Sequence, residues 1–249
     1  MNDPDGYFGE PVAASYDDLY DRRFQPEAID PAVSLLAGLA GSGRALELAI
    51  GTGRIGLPLS QRGVPVHGIE LSRAMVARLR GKPGGEAIDV TIGDMATTRV
   101  DGTFTVAYLV FNTINNLTSQ EAQVDCFRNV AEHLTPGGCF VIETEIPHLR
   151  YLPPGQDILA YRAGPGRIVS YGFDHATQQY SGHYAEFTDG TAEYRTIPYR
   201  YVWPSELDLM AQLAGLQLRD RWADWNQEPF TTDSHSHVSV WQKPQPSQG

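Results

Sequence analysis

What most restricts the fold is a change of hydrophobic period that begins at Arg44. RALELAI, residues 44–50, reads as a short buried strand, RIGLPLSQRG as a helix, VPVHGIE as a second strand, and SRAMVARLRG as a helix opened by Ser72. IDVTIGD and FTVAYLVF follow as strands. TSQEAQVDCFRNVAEHL is a helix with Thr118 and Glu121 as a capping box, and CFVIETEI is a fifth strand after the turn PGG. Brief apolar strands joined by helices can share a sheet only in parallel. Helices then cover both faces, and a ligand crevice opens at the carboxyl ends of the strands.

The flanking texture differs. VAASYDDLYD places Val12, Tyr16, Leu19 and Tyr20 at helical spacing over residues 12–22; a second helix is expected with Asp30 as cap, Pro31 in its first turn and a glycine stop near Gly41 to Gly43. Past the proline-rich stretch from Pro147 to Pro154, the runs RIVSYGFDH, QYSGHYAEF and AEYRTIPYRYVW alternate with period two around turns such as TDGT, which predicts an antiparallel insert able to serve as an acceptor pocket or a homodimer surface. PSELDLMAQLAG returns to helix between Pro204 and Gly215, and LQLRDRWADW and HVSVWQK complete the sheet. The predicted fold class is therefore α/β, a doubly wound, mostly parallel seven-stranded Rossmann-like sheet with an inserted antiparallel β-sheet. Its expected parts are a helical segment at 1–43, a cofactor-binding nucleus at 44–146, the insert at 147–203 and a closing helix and strands at 204–243.

Charge removes several functions. With 19 Lys and Arg against 30 Asp and Glu, the net charge of −11 repels a phosphate backbone and offers no basic stripe to a membrane, so neither nucleic acid nor membrane is an expected partner. MNDPDGYFGE lacks an apolar signal core and VAYLVF is far too short to span a bilayer, which predicts a cytoplasmic protein. Cys126 and Cys139 show no metal-ligand spacing and read as reduced core residues.

LELAIGTGRIG carries the chemistry. Its glycines at 51, 53 and 56 fit G-x-G-x-x-G, and Glu70 lies nineteen residues beyond Gly51, a pattern that admits an NAD-dependent oxidoreductase as one alternative. Glu47 opposes that reading, because a carboxylate at the end of the first strand repels a pyrophosphate. It suits S-adenosylmethionine instead, whose methionine end brings an ammonium and a sulfonium.

E-L-A-I-G-T-G resembles the first motif of class I S-adenosylmethionine-dependent methyltransferases, acid-x-Gly-x-Gly-x-Gly, with Ala49 in place of the first glycine. The resemblance implies that Glu47, Ala49, Gly51 and Gly53 form the corner around the methionine moiety, directly or through water. It implies that Glu70 accepts both ribose hydroxyls with Leu71 beside the adenine, and that Asp94 in IGDM receives the adenine amino group with Met95 on the ring. LTPGG before the fifth strand matches the family's entry turn. Y-D-D-L-Y and the insert place the nearest likeness among small-molecule N-methyltransferases, those of amino sugars and of peptide N-termini. In them the leading helix closes over the cofactor and its second tyrosine, here Tyr20, points at the methionine end; Arg22 or Arg23 would meet the carboxylate.

The resemblance implies methyl transfer by in-line displacement to a small-molecule acceptor, most readily an amine nitrogen, with S-adenosylhomocysteine as product and no metal. Phe111 is expected to pack on the cofactor, and Asn112 to hold an acceptor polar group. Glu145, alternating onto one face with Glu143, is expected to reach the crevice and favour a cationic acceptor. Asp233, His235 and His237 share a face if their segment is extended, and His235 or His237 is a candidate base at the acceptor. Three alternatives stand beside this reading: an O-methyltransferase of a small natural product, the NAD-dependent oxidoreductase, and a non-catalytic cofactor-binding module. The last is suggested by Ala49 and by Thr105, which stands where the family pattern has an acid near the start of the fourth strand.

Overall fold

The computed structural model describes residues 5–19, 23–164, 166–188 and 190–246. The central sheet has seven strands: β1 (Ala45–Leu48), β2 (Val66–Glu70), β3 (Asp89–Ile92), β4 (Phe104–Leu109), β5 (Leu134–Glu145), β10 (Gln217–Trp222) and β11 (Ser236–Gln242). They lie in the order β10-β11-β5-β4-β1-β2-β3, with β1 to β5 parallel and β11 antiparallel to both β5 and β10. The order reverses beside β1, and the crevice of such a sheet opens there.

Helices α2 (Pro26–Ala40) and α3 (Gly56–Gln61) lie on one face of this sheet, and α5 (Gln120–His133) and α6 (Pro204–Leu213) on the other. Leu46, Leu48, Ala107, Leu109, Phe140 and Ile142 pack toward α5 and α6, while Ala45, Val106, Tyr108, Cys139 and Val141 alternate toward α2. The two cysteines are buried, free thiols.

Three sequence expectations need correction. Helix α2 begins at Pro26 rather than Asp30, so Pro31 sits inside it; the carbonyl that loses its donor belongs to exposed Glu27, near solvent. Ser119, not Thr118, caps α5, its hydroxyl accepting the Ala122 N–H at 3.1 Å from extended backbone. The insert holds four strands instead of three, β6 (Ile158–Gly164), β7 (Arg167–Phe173), β8 (Gln179–Thr188) and β9 (Thr191–Arg200), in that order and antiparallel. Strand β6 leaves little trace in the sequence because it is an edge strand with most residues exposed, so no apolar alternation is imposed on it.

A buried polar knot joins the insert to the sheet layers. Arg200, at the end of β9 and 4% exposed, donates from Nη1 to Gln123 Oε1 at 2.5 Å and from Nη2 to Glu206 Oε1 at 2.7 Å and Gln178 Oε1 at 3.2 Å. The four residues sit on β9, α5, α6 and the turn before β8. Removing Arg200 leaves half-buried Glu206 uncompensated and the buried Gln123 Oε1 without its donor, at a cost of about 3 kcal/mol. Arg200→Ala is therefore expected to lower the unfolding free energy by about that amount, read as a reduced denaturant midpoint.

Candidate active site

Each strand of the parallel half delivers one polar group to the crevice. After β1 the chain turns through Ala49 at φ 51°, Gly51 at φ 58° and Gly53 at φ 82°. The position where the family has its first glycine needs a left-handed backbone, which alanine adopts only at a cost. The glycine amides of the loop are already answered by the protein. Gly51 N–H donates to Glu70 Oε2 at 2.8 Å, Gly53 N–H to the Ile50 carbonyl at 3.0 Å, and Gly56 N–H to the Glu47 carboxylate. A diphosphate at this turn would find these donors already engaged by the protein.

Glu47 is paired in register with Tyr108 of β4, which sets both side chains on one face and lets the phenol donate to Glu47 Oε2 at 3.0 Å. The carboxyl is 2% exposed; burial pushes its pKa up to about 8, against the opposing effects of the Tyr108 hydroxyl, the Arg54 charge and the Gly56 amide. A Cβ on residue 56 would stand 2.4 Å from Glu47 Oε2. The third glycine of the literal string is thus set by the acid below it, with no part in phosphate binding.

At the end of β2, Glu70 accepts Gly51 N–H on one oxygen and Ser72 N–H on the other, each at 2.8 Å; burial pushes its pKa upward against these bonds. Each oxygen keeps a second lone pair able to accept a hydroxyl. Beyond β3, the exposed Asp94 caps its own turn, Oδ1 accepting the Ala96 N–H at 2.8 Å, and Met95 is buried in the core beside Ala96.

Helix α1 (Glu10–Leu19) closes this side. Asp17 accepts the Thr52 hydroxyl at 2.6 Å and pairs with Lys82 at 2.5 Å, fixing α1 to the glycine loop. The Asp5 carboxylate accepts the Arg73 and Ala74 N–H groups that open α4 (Arg73–Arg80). The apolar stripe of α1 is not sunk in the core: Val12, Tyr16 and Leu19 are half-buried and line a cavity.

That cavity, about 610 Å³, lies between α1, the ends of β4 and β5 and the insert; a second of about 520 Å³ shares Phe111, Asn112, Glu145, His148 and Tyr161 with it. At the end of β4, Phe111 and Asn112 are consecutive left-handed residues, φ 62° and 60°. They are held by β5, with Phe111 N–H on Glu143 Oε2 at 2.9 Å and Glu145 N–H on Asn112 Oδ1 at 2.6 Å. The guanidinium groups of Arg23 and Arg54 lie 4.3 and 5.3 Å from the Phe111 ring centroid. Glu145 Oε2 accepts His148 Nε2–H at 2.9 Å. Burial pushes the Glu145 pKa up, but His148, Asn112 and Arg23 more than offset it and hold the carboxyl below its usual range. His148 stacks on Tyr171 at 6.0 Å and an interplanar angle of 6°, and Tyr161 and Tyr180 extend the aromatic wall.

Residues 45–138 match the model of a methyltransferase domain. The CcbJ methyltransferase from Streptomyces caelestis is 32% identical, with 95% of this chain and 98% of that chain covered, at a TM-score of 0.81. The chain belongs to the methyltransferase family. Cypemycin N-terminal methyltransferase of a Streptomyces species is 26% identical over 254 residues, 98% of this chain and 100% of the relative. The amino pentose methyltransferase CalS10 from Micromonospora echinaspora, solved with S-adenosylmethionine bound, shares the fold at 19% identity and a TM-score of 0.66, over 92% of this chain and 96% of that chain. The protein is a class I methyltransferase dependent on S-adenosylmethionine, and the dinucleotide and non-catalytic alternatives fall away. No helix among the described residues is long and apolar enough to cross a membrane.

In this methyltransferase the sequence-predicted residues divide. Ala49, Gly51, Gly53, Glu70, Leu71, Asp94 and Met95 all lie in or directly after the turns that follow β1, β2 and β3. Glu47 is beneath that corner, bonded to the Tyr108 hydroxyl and the Gly56 amide. Asn112 and Glu145 meet at the cavity; Tyr20 and Arg22 fall outside the described residues. His235 lines the smaller cavity, with Nδ1 engaged by Tyr151 Oη at 2.5 Å and Arg150 Nη2 at 2.8 Å. His237 is corrected: it lies fully buried in β11 on the face of Trp241 and α6, away from the acceptor cavities. Burial and Arg221 push its pKa down to about 3, so it is a neutral core group and no base. Asp233 lies in a turn closed by Ser234 N–H on the Thr231 carbonyl at 3.1 Å, so the three residues are not aligned along a strand. Thr105 ties β4 to α2 through its hydroxyl on the Ala40 carbonyl at 2.8 Å, a structural reason for its departure from the family pattern. The sequence reading missed His148, three residues past Glu145 in a segment read only as a proline-rich connection, and missed Tyr108 as the partner of Glu47, which only strand register reveals.

Two predictions follow from the loop. Ala49→Gly relieves the left-handed alanine and is expected to raise the unfolding free energy by about 1 kcal/mol in denaturant titration. Glu47 holds a proton in the folded state up to pH about 8, whereas the unfolded group, at 4.5, has lost it. Its burial therefore costs nothing below the unfolded value, destabilises progressively as pH rises between the two, and levels off above the folded value. The stability of Glu47→Gln relative to the parent is expected to grow between those limits by up to about 1.4 kcal/mol per pH unit, measured by urea unfolding across that range.

Proposed function

We propose that this methyltransferase transfers its methyl group to an amine nitrogen of a small molecule held in the 610 Å³ cavity. The observation that carries the reading is the Glu145–His148 pair at 2.9 Å in the cavity wall, an ionised carboxylate and an imidazole under a tyrosine roof. When bound, S-adenosylmethionine supplies an electrophilic methyl group on a sulfonium, and transfer needs an aligned neutral nucleophile in a site closed to water.

The chain's residues divide that work. Glu70 has lone pairs for the ribose hydroxyls, Asp94 Oδ2 for the adenine amino group, and Arg23 and Arg54 over Phe111 supply positive charge for the carboxylate. Glu145 draws an ammonium in and accepts a hydrogen bond from it, orienting the nitrogen. His148 donates to Glu145 from Nε2, which leaves Nδ1 to receive the proton lost when the amine becomes a nucleophile. Tyrosine faces favour the cation and exclude water. Burial pushes the phenols of Tyr171 and Tyr180 upward, so they stay protonated donors.

A hydroxyl acceptor requires a stronger base than a carboxylate held below its ordinary range, which favours nitrogen over oxygen. The name of cypemycin N-terminal methyltransferase, an enzyme of an N-terminus, supports the same choice. Glu145→Gln is expected to lower kcat/KM toward amines about 100-fold. S-adenosylhomocysteine affinity by calorimetry should change little. Methyl release measured over paired amines and phenols tests the acceptor atom: turnover of phenols alone, or full amine turnover in the Gln variant, overturns the reading.

A further inference from the structure

The wall that β7 and β9 give the cavity has its own charge. Arg167 on β7 and Arg195 on β9 both line the cavity and flank Tyr184 of β8, with guanidinium carbons 5.6 and 5.3 Å from its ring centroid. They converge on one carboxylate: Arg195 Nη2 donates to Glu186 Oε1 at 3.0 Å, and Arg167 Nε stands 3.6 Å from the same oxygen, beyond a hydrogen bond. Two guanidinium groups present about ten N–H donors, more than one carboxylate can receive. The surplus is visible, because both Nε atoms are buried and make no hydrogen bond among the described residues. Among the described residues that line the cavity, Arg23, Arg162, Arg167 and Arg195 face only Asp18 and Glu145, on a chain of net charge −11. An acidic protein that gathers arginines around one cavity has built a local attraction for anions.

We infer that this wall is an oxyanion subsite: the acceptor carries, apart from the methylated amine, a carboxylate or phosphate that is clasped between Arg167 and Arg195. The two guanidiniums, both beside Tyr184 and Glu186, offer N–H donors in the fork geometry that such an anion accepts. The inference rests on the amine reading above for the other end of the acceptor. It makes the substrate a zwitterion whose two charges are read at different walls.

The test uses the full chain and three amines of similar shape: 4-(2-aminoethyl)benzoate, tyramine O-phosphate and the neutral 4-(2-aminoethyl)benzamide. S-adenosylhomocysteine release is measured, together with calorimetric binding of each probe in the presence of S-adenosylhomocysteine. At least one anionic probe is expected to exceed the benzamide by about tenfold in kcat/KM or affinity, and which one does so distinguishes carboxylate from phosphate. In Arg167→Gln and Arg195→Gln that ratio should collapse toward one, with Arg195→Lys retaining part of it; cofactor-product binding reports that the variants are folded. Equal behaviour of benzamide and both anions in the parent protein, a preference that survives in folded Gln variants, or no binding of either anion at millimolar concentration overturns the subsite. Amine methylation without anion preference removes the subsite alone, whereas arginine-dependent anion binding without amine methylation sustains it and removes the nitrogen reading.

Discussion

The structure of the catalytic half depends on carboxylates placed under a turn. Glu70 and Glu47, at the ends of two neighbouring strands, accept the N–H groups of Gly51 and Gly56, so the glycine loop hangs from the sheet by two acids. These bonds occupy the loop's donors before any ligand arrives. A turn whose donors face inward to two carboxyl groups presents a donor-poor surface, inhospitable to a phosphate bridge. The same glycine spacing can serve opposite ligands, and the difference lies in what stands below the backbone.

Much of this was legible in the chain. The strand-helix alternation from Arg44 to Ile146 fixed the parallel sheet because each element is buried on a predictable face. Glu47, Glu70 and Asp94 could be assigned to strand ends because such positions follow directly from where an apolar run stops. The limits of legibility are equally physical. Tyr108 meets Glu47 through register between β1 and β4, which no local pattern encodes. His237 looked like a candidate base because alternation says which residues share a face but not which face is wet. Strand β6 and His148 escaped because an exposed edge and a short turn carry no hydrophobic period.

The insert's side of the cavity is built by a different logic from the sheet's side. Strand ends of the parallel sheet supply fixed polar atoms, while the insert supplies aromatic surface and arginines from β6 to β9. The Arg200 knot connects these parts with buried hydrogen bonds to α5 and α6, so the roof keeps its orientation over Glu145. Specificity can change by substitution on the insert while the corner below stays intact, which suits a fold whose members act on chemically different acceptors.

Phe111 and Asn112 hold two adjacent residues in a backbone region that glycine would occupy without penalty, at about 1–2 kcal/mol each. Their side chains explain the persistence of that tension: the ring lies under two guanidiniums, and the amide fixes the strand that carries Glu145. Selection for thermal robustness alone would drift toward glycine at this corner and would dismantle the contacts that seat Arg23, Arg54 and the end of β5. An engineer stabilising this scaffold therefore has reason to leave that dipeptide as it is.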